Sequence, residues 1–211
     1  MKPIPVIAVV LGLAIGYTPA QAQDAVQRIR ADVVAVQGQT LQIKTTTGET
    51  LSVMLADKLR VLQETSVTLA AVKPGVFVGT TSEPQADGSL RAVLIRIFPE
   101  ALRGIGEGHR PMNTPAHNTM TNATVTQVAT TGPTMTNATV TAAQANTMTL
   151  TYKGGERNIQ VPADVPVVQD EIATAALLVP GAHVTVTATA DGTGRFTSDR
   201  ITVGRDGFAP M

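Results

Sequence analysis

Two histidines and two methionines fall close together in one Gly/Pro-rich segment and form the best candidate for metal chemistry in this sequence. His109 with Met112 and His117 with Met120 make two H-x-x-M pairs eight residues apart. Imidazole and thioether groups suit copper, above all Cu(I), and the chain has no cysteine that would compete for the ion. The segment can therefore close around one soft ion, and copper is the one possible cofactor.

The same residues have a purely structural interpretation. Met120 sits in a Thr-Met-Thr motif that recurs around positions 135 and 148 without a histidine nearby. Pro111 and Pro115 also stiffen the segment, and histidines in an exposed linker require no ligand. We therefore expect no tightly bound copper, and keep a copper-binding protein as the alternative.

Signatures of catalysis are missing from the sequence. There is no cysteine for thiol chemistry, and neither a G-x-S-x-G nor an H-E-x-x-H motif. The G-x-G-x-G at residues 104–108 resembles a phosphate loop, but His109 stands where a dinucleotide fingerprint needs its third glycine. The Arg110-Pro111 that follows cannot open a helix, so this stretch is predicted to be an interdomain linker. We expect a protein that is not an enzyme.

The segments on both sides of this linker are predicted to be β-strands. Short segments alternate apolar with polar residues, are rich in Thr and Val, and are separated by Gly-containing turns, which indicates an all-β protein. In the first half the predicted order is three strands, an irregular piece at 56–64, a short helix at 65–72 and two more strands. The second half repeats this order, with an irregular piece at 163–169 and a helix at 170–178.

Landmarks also repeat between the halves. Pro74-Gly75 matches Pro180-Gly181, and Asp87-Gly88 matches Asp191-Gly192. The sequence therefore predicts two tandem small OB-like Greek-key β-barrels, each with one short helix between strands three and four; a β-sandwich is the alternative. The predicted divisions are a signal peptide at 1–22, the first barrel at 23–99, a linker at 100–121, the second barrel at 122–205 and a tail at 206–211.

OB-folds often bind ligands on the face of strands two and three. Those strands here offer only a few basic or aromatic side chains: Lys44, Tyr152, Lys153 and Arg157. They are the candidate groove for a peptide, glycan or small molecule. With so few aromatic and basic residues we expect no nucleic-acid binding.

An octapeptide, TMTNATVT, occurs twice, at 119–126 and 134–141. Both copies alternate Thr with apolar residues and can form a strand. The repeat predicts that the first strand of the second barrel is duplicated, without choosing which copy pairs in the sheet.

The first 22 residues have the order of a secretory signal. Lys2 precedes an apolar run, and Ala20 and Ala22 occupy the small-residue positions of a cleavage site before Gln23. The run is too short to span a bilayer, so no membrane span is expected after cleavage. The expected product is a periplasmic or secreted protein, and without Lys2 its 15 basic and 16 acidic residues give it no field for nucleic acid. An unknown periplasmic protein or a small ligand is the expected partner.

Particular strings carry a family resemblance. VVAVQGQTLQIKTTTGETLSVML, LAAVKPGVFVGTT and ADGSLRAVLIRI resemble a widespread family of bacterial exported OB-like domains without an assigned function. The match covers residues 28–98 well and 136–203 more loosely. RGIGEGHRPM together with TMTNATV is similar to a proteobacterial subgroup often labelled metal ABC transporter permease, although a permease needs several membrane spans.

The closing strands of the two predicted barrels supply expected core positions. Val93, Ile95 and Ile97 in one, and Ile201 and Val203 in the other, fall at every second position and should share a buried face.

Overall fold

The computed structural model describes residues 25–112, 117–129, 146–191 and 193–211, and the protein in these ranges is all-β. Its only helices there are four 3-10 turns of three residues each, none of them long enough to cross a membrane. Within the described ranges twelve strands are formed: β1 Ala25–Gln37, β2 Thr40–Thr45, β3 Thr50–Val67, β4 Phe77–Pro84, β5 Leu90–Ile97, β6 Gly108–Pro111, β7 Thr119–Ala129, β8 Asn146–Tyr152, β9 Gly155–Val161, β10 Val167–Ala173, β11 His183–Ala190 and β12 Phe196–Gly204.

Strands β1 to β3 form an antiparallel meander, as their alternating pattern predicts. Leu41, Ile43 and Val53 point to one side and are fully buried, while polar neighbours face outward. Gly38 has a φ of 58° at the β1–β2 turn, a left-handed conformation that favours glycine.

The first barrel is a closed ring of five strands in the order β12-β11-β1-β2-β3. Strand β11 runs antiparallel to β1 and to β12. Strand β12 then runs parallel to β3 and closes the ring. The closed ring rules out the β-sandwich alternative for this part of the chain. Its interior is filled by a single apolar cluster: Ala31, Val33, Leu41, Ile43, Val53, Leu55, Val61, Leu178, Val184, Val186, Ala188, Ile201 and Val203.

The second ring contains five other strands in the order β5-β4-β7-β8-β9. It is closed by a short parallel contact in which Leu90 pairs with Ile159 and Arg91 pairs with Gln160. Strand β6 adds to the outer side of β7. A separate apolar cluster fills this ring: Val72, Val78, Ala92, Ile95, Ile97, Ala123, Val125, Met148, Leu150, Ile159, Val161, Val165 and Val167.

The two rings exchange strands between the halves of the sequence, which corrects the predicted division at 23–99 and 122–205. The first barrel takes β1–β3 from the first half and β11–β12 from the second. The second ring takes β7–β9 from the second half and β4–β5 from the first. Residues 23–99 therefore do not close a barrel by themselves. The second ring is built from one continuous stretch, 77–161, inserted between the two parts of the first barrel.

The exchange has a physical cause in β3. Its 18 residues form one long strand, with an irregularity at 56–59 where the register against β12 shifts. Its first part, at 50–54, pairs with β2, whereas its last part, at 61–67, pairs with β10 and carries the chain toward the second ring. The predicted irregular piece at 56–64 is thus strand, and the chain cannot turn back to close its own barrel.

Strands β3 and β10 cross at an approximate two-fold axis that relates the two halves. Glu64 lies opposite Asp170 in this antiparallel pair. These two residues are 106 positions apart, as are the landmarks Pro74 and Pro180. The same offset therefore identifies equivalent positions on the two rings.

Both predicted helices were wrong. Residues 65–67 end strand β3, and only Leu69–Ala71 form a 3-10 turn. Likewise, Val167–Ala173 is strand β10, with a 3-10 turn at Ala175–Leu177. The antiparallel pairing of β3 with β10 satisfies the backbone N–H and C=O groups that would form hydrogen bonds within a helix. The Thr and Val residues of these segments favour a strand.

The first copy of TMTNATVT forms most of β7, between β4 and β8. This strand begins at Thr119, so the predicted linker at 100–121 ends inside it. The second copy, at 134–141, and the signal segment at 1–22 lie outside the described residues.

Candidate ligand-binding cleft

The linker histidines and methionines do not assemble around one point. His109 pairs with Thr121, and Arg110 pairs with Met120, in the β6–β7 hairpin. Because neighbouring residues of a strand point to opposite faces, His109 and Met120 lie on opposite sides of this hairpin.

Each of these side chains also has its own contacts. The His109 Nδ1 atom lies 2.8 Å from the Thr121 hydroxyl. The Met120 sulfur accepts a hydrogen bond from Arg110 at 3.2 Å. The backbone N–H of Met112 donates to the carbonyl of Asn118 at 2.7 Å, and His117 is exposed with a φ of 51°. The predicted copper ligands are therefore near in sequence but divided between two faces.

The predicted groove residues lie on different rings. Lys44 is on β2 of the first barrel, whereas Tyr152, Lys153 and Arg157 belong to the β8–β9 hairpin of the second ring. Arg157 instead joins His109 in a shallow polar pocket of about 440 Å³. Partial burial lowers the pKa of His109, and the charge of Arg157 lowers it further. One ligand groove made by all four predicted residues is not formed.

A second cavity lies between the first barrel and the second ring, and we call it the arginine cleft. Its volume is about 410 Å³. One wall is the outer face of β1, β11 and β12, where Arg28 pairs with Thr187 and Thr187 pairs with Arg200. These three residues form a row across neighbouring strands and all border the cleft.

The opposite wall is the outer face of β5, β4, β7 and β6. Here Leu94 pairs with Thr81, Thr81 with Met120, and Met120 with Arg110, and all four border the cleft. Alternation along each strand is what brings these side chains, and not their neighbours, to the cleft side.

A buried ion cluster closes the floor of the cleft. Glu64 and Asp170 are 0% and 1% exposed, and the Arg96 guanidinium forms ion pairs with both carboxylates. The Arg96–Asp170 contact is 2.8 Å. The main chain of Met211 completes the cluster, donating to Glu64 at 2.7 Å and accepting from Arg96 at 2.6 Å. Every charge in the cluster therefore has a partner, as buried ions require.

The cluster shifts the pKa values of its members. Burial raises the pKa of the Asp170 carboxyl; Arg96 opposes this rise and Glu64 adds to it. Burial acts to lower the pKa of Arg96, but the charges of Asp170 and Glu64 outweigh it and raise the pKa. Arg96 is thus committed to holding the two rings together at their junction.

Arg28 and Arg200 are in a different situation. Both are exposed, and within the described residues neither guanidinium forms a hydrogen bond or an ion pair. Partial desolvation lowers the pKa of Arg28, with repulsion from Arg96 next in importance. Two positive charges therefore face the cleft without a protein carboxylate bound to them.

Asn122 supports the second wall from beneath. Its Nδ2 atom donates to the carbonyl of Ile105 at 2.9 Å, which holds the loop after β5 at the edge of the cleft. Gly79 makes room for this arrangement, because a Cβ there would lie 2.8 Å from the Asn122 Oδ1 atom and 2.9 Å from the Phe98 ring. A side chain at position 79 would therefore displace both residues.

Comparison with known proteins identifies no relative: no family model, curated protein or solved structure matches this chain.

Sequence reasoning missed the cleft residues because they come from strands that are far apart in the chain. One signal was present in the repeat itself: Glu64 and Asp170 hold equivalent acidic positions at the 106-residue offset. The sequence pattern predicts an irregular segment at Glu64 and a helix at Asp170, both outside the sheet. Placing them in strands would have pointed to two acids at the centre of the molecule.

Proposed function

We propose that this protein is an exported, non-enzymatic binding protein that holds a small ligand in the arginine cleft between two OB-like barrels. The observation that carries the proposal is the cleft itself, with two arginines on its wall whose guanidinium groups form no hydrogen bond or ion pair within the described residues. Clefts that bind small molecules combine an apolar lining with a few well-placed polar groups, and this cleft has both.

The OB-like assignment is supported by the strand order. In the first barrel the spatial order is β11-β1-β2-β3. The later strand β11 thus lies beside β1, the first of three meander strands, which is the Greek-key order. The second ring has the same order in β4-β7-β8-β9. The fifth strand of each ring pairs in parallel with the third meander strand. In the first barrel β12 pairs with β3, and in the second ring β5 pairs with β9.

A binding role fits the chemistry of the cleft better than a catalytic one. Its lining offers arginines, threonines and apolar side chains, while Glu64 and Asp170 are engaged by Arg96. A general base needs a carboxylate or imidazole that can reach the substrate, and both carboxylates here are fully buried. Export rests on the signal-like residues 1–22, so a periplasmic or secreted location is part of the proposal.

The copper alternative is less well supported by the geometry. A soft-metal site needs its imidazole and thioether groups on one side of the backbone, and the hairpin puts His109 and Met120 on opposite faces.

A thermal-shift screen with a variant that fills the cleft tests the proposal. A panel of carboxylates, phosphates, sugars, amino acids and Cu(I) is added to the purified chain, because a ligand that binds the folded state raises the melting temperature. Thr187→Trp places a large ring in the middle of the arginine wall. The matched control is Thr50→Trp, an exposed strand position outside the cleft.

We expect compounds that stabilise the wild type and T50W but not T187W. Stabilisation that survives in T187W would place the binding elsewhere and overturn the proposal, as would a response to Cu(I) alone.

A further inference from the structure

The two walls of the arginine cleft occupy equivalent positions in the repeated halves, so they can be compared residue by residue. At the 106-residue offset, Thr81 corresponds to Thr187 and Leu94 corresponds to Arg200. Met120 and Arg28 are equivalent as well, because they pair with Thr81 and Thr187 respectively. Each wall thus presents a threonine between two larger side chains.

The equivalent walls differ sharply in charge. The first barrel contributes Arg28 and Arg200, and the second ring contributes Met120 and Leu94 in their places. Phe98 and Ile105, both partly exposed, extend the apolar wall. The cleft therefore has two arginines on one wall and apolar side chains at the equivalent positions of the other wall, where Arg110 lies at the edge of the row.

The charge balance at the cleft is positive. Four arginines border it, namely Arg28, Arg96, Arg110 and Arg200, whereas the two carboxylates at its floor are both bound to Arg96. An exposed guanidinium is a planar fork of donors that matches a carboxylate or phosphate group. Neighbouring strands are about 5 Å apart, so Arg28 and Arg200 start about 10 Å apart and their long side chains can converge on one anion.

We propose that the ligand of the arginine cleft is a small amphipathic anion, with its oxyanion headgroup bound by Arg28 and Arg200 and its apolar body against Leu94 and Met120. This assignment rests on the proposed function and gives its ligand a chemical class. A headgroup alone would leave the apolar wall unused, and a neutral apolar compound would leave two arginines unneutralised beside it.

Calorimetric titration with a matched set of eight-carbon probes tests the assignment. Octanoate and octyl phosphate present the two kinds of headgroup, and octanamide replaces the carboxylate by a neutral group of similar shape. Octylammonium reverses the charge, and acetate removes the apolar body. We expect octanoate or octyl phosphate to bind at least tenfold more tightly than octanamide, and acetate and octylammonium to bind more weakly still.

Two pairs of substitutions separate the two walls. In Arg28→Gln/Arg200→Gln the preference for octanoate over octanamide should fall below about threefold, since the charged hydrogen bonds are gone. In Leu94→Ser/Met120→Ser octanoate should lose its advantage over acetate. Arg60→Gln is the control, because Arg60 pairs with Arg200 across β3 and β12 but does not border the cleft. Circular-dichroism melts establish that each variant is folded.

The outcomes also separate this inference from the proposed function. Equal binding of octanoate and octanamide, blocked by T187W, would overturn the anion assignment and leave the binding function standing. An unchanged preference in the double arginine variant would overturn it too, as would no binding of either anionic amphiphile. Binding that persists in T187W would contradict both.

Discussion

Arg96 is the side chain on which the junction of the two rings depends most. It is the partner of two fully buried carboxylates, Glu64 and Asp170, from the crossing strands β3 and β10. Removing one member of a buried ion cluster leaves uncompensated charge in a poorly solvated place.

Arg96→Met should therefore lower the free energy of unfolding by about 3–5 kcal/mol. Chemical denaturation measures the loss. The control is Arg91→Met on the same strand, an exposed residue with no ion pair to any described residue, which should change stability by less than about 0.5 kcal/mol. Equal effects of the two substitutions would contradict the central role of the cluster.

Asp191 controls a turn through hydrogen bonds and gives the chain a testable pH dependence. Its carboxylate accepts from the backbone N–H groups of Thr193 and Arg195, each at 2.9 Å, and from the Thr193 hydroxyl at 2.7 Å. These bonds, led by that of Thr193, hold the pKa of Asp191 well below its usual range.

A lowered pKa in the folded state stabilises the protein above the unfolded value of about 3.9, and this contribution disappears as the pH falls toward the folded value. The stability advantage of the wild type over Asp191→Asn should thus be largest at neutral pH and shrink below about pH 4. Denaturation curves from pH 7 downward measure it. Asp199→Asn is the charge-matched control, because it removes an exposed carboxylate whose side chain forms no hydrogen bond within the described residues.

At the scale of the element, β5 shows how one irregularity changes which side chains are buried. Val93, Ile95 and Ile97 were expected on one face; Ile95 and Ile97 are buried, but Val93 is only half-buried and Ala92 takes its place. The register between β4 and β5 shifts between Thr81 and Ser82, which leaves Val93 as an extra residue. A bulge of this kind moves every earlier residue of the strand to the other face. In β12, Ile201 and Val203 are buried as expected.

Substituting alanine for the β-branched side chains of β5 tests for this bulge. Ile95→Ala creates a cavity in the second ring and should cost about 2–5 kcal/mol. Val93→Ala should cost clearly less, although both are β-branched residues of one strand. Thermal denaturation of the two variants is the measurement, and a Val93→Ala cost equal to that of Ile95→Ala would mean that the strand alternates without interruption.

The sequence predicted elements well where local pattern decides them. The β1–β2–β3 meander, with its glycine turns and its buried Leu41 and Ile43, follows directly from alternation. Local pattern failed at 56–64 and 170–178, because there a long-range partner strand decides the conformation. Asp170-Glu171 followed by Ile and Ala has good helix propensity, yet pairing with β3 overrides it. The arginine cleft was invisible for the same reason, since its walls meet only after the strands are exchanged.

At the scale of the whole molecule, the exchange makes the sequence-based division testable with fragments. Residues 68–168 contain every strand of the second ring and most of its apolar cluster. Residues 23–99 contain three strands of one ring and two of the other, and so have no complete core.

We expect the 68–168 fragment to unfold cooperatively on heating and the 23–99 fragment to show no cooperative transition, since a small chain without a closed core is not stable. Circular dichroism and calorimetry of each fragment are the measurements. A cooperative transition of monomeric 23–99 would support independent tandem barrels and contradict the exchange.

The nesting of the second ring inside the first barrel also sets the order in which partner strands become available as the chain is synthesised. All strands of the second ring are complete once Val161 has been made, whereas β1 must wait for β11, and 151 residues separate Asp32 from His183. At 5–20 residues per second this wait is roughly 8–30 s. During it the β1 edge, which carries Arg28 and Arg30, has no partner strand, and charged side chains on an open edge discourage pairing with other chains. The first part of the barrel to be synthesised is therefore the last to obtain all its partner strands, and we expect its arginines to disfavour pairing with other chains before the cleft exists.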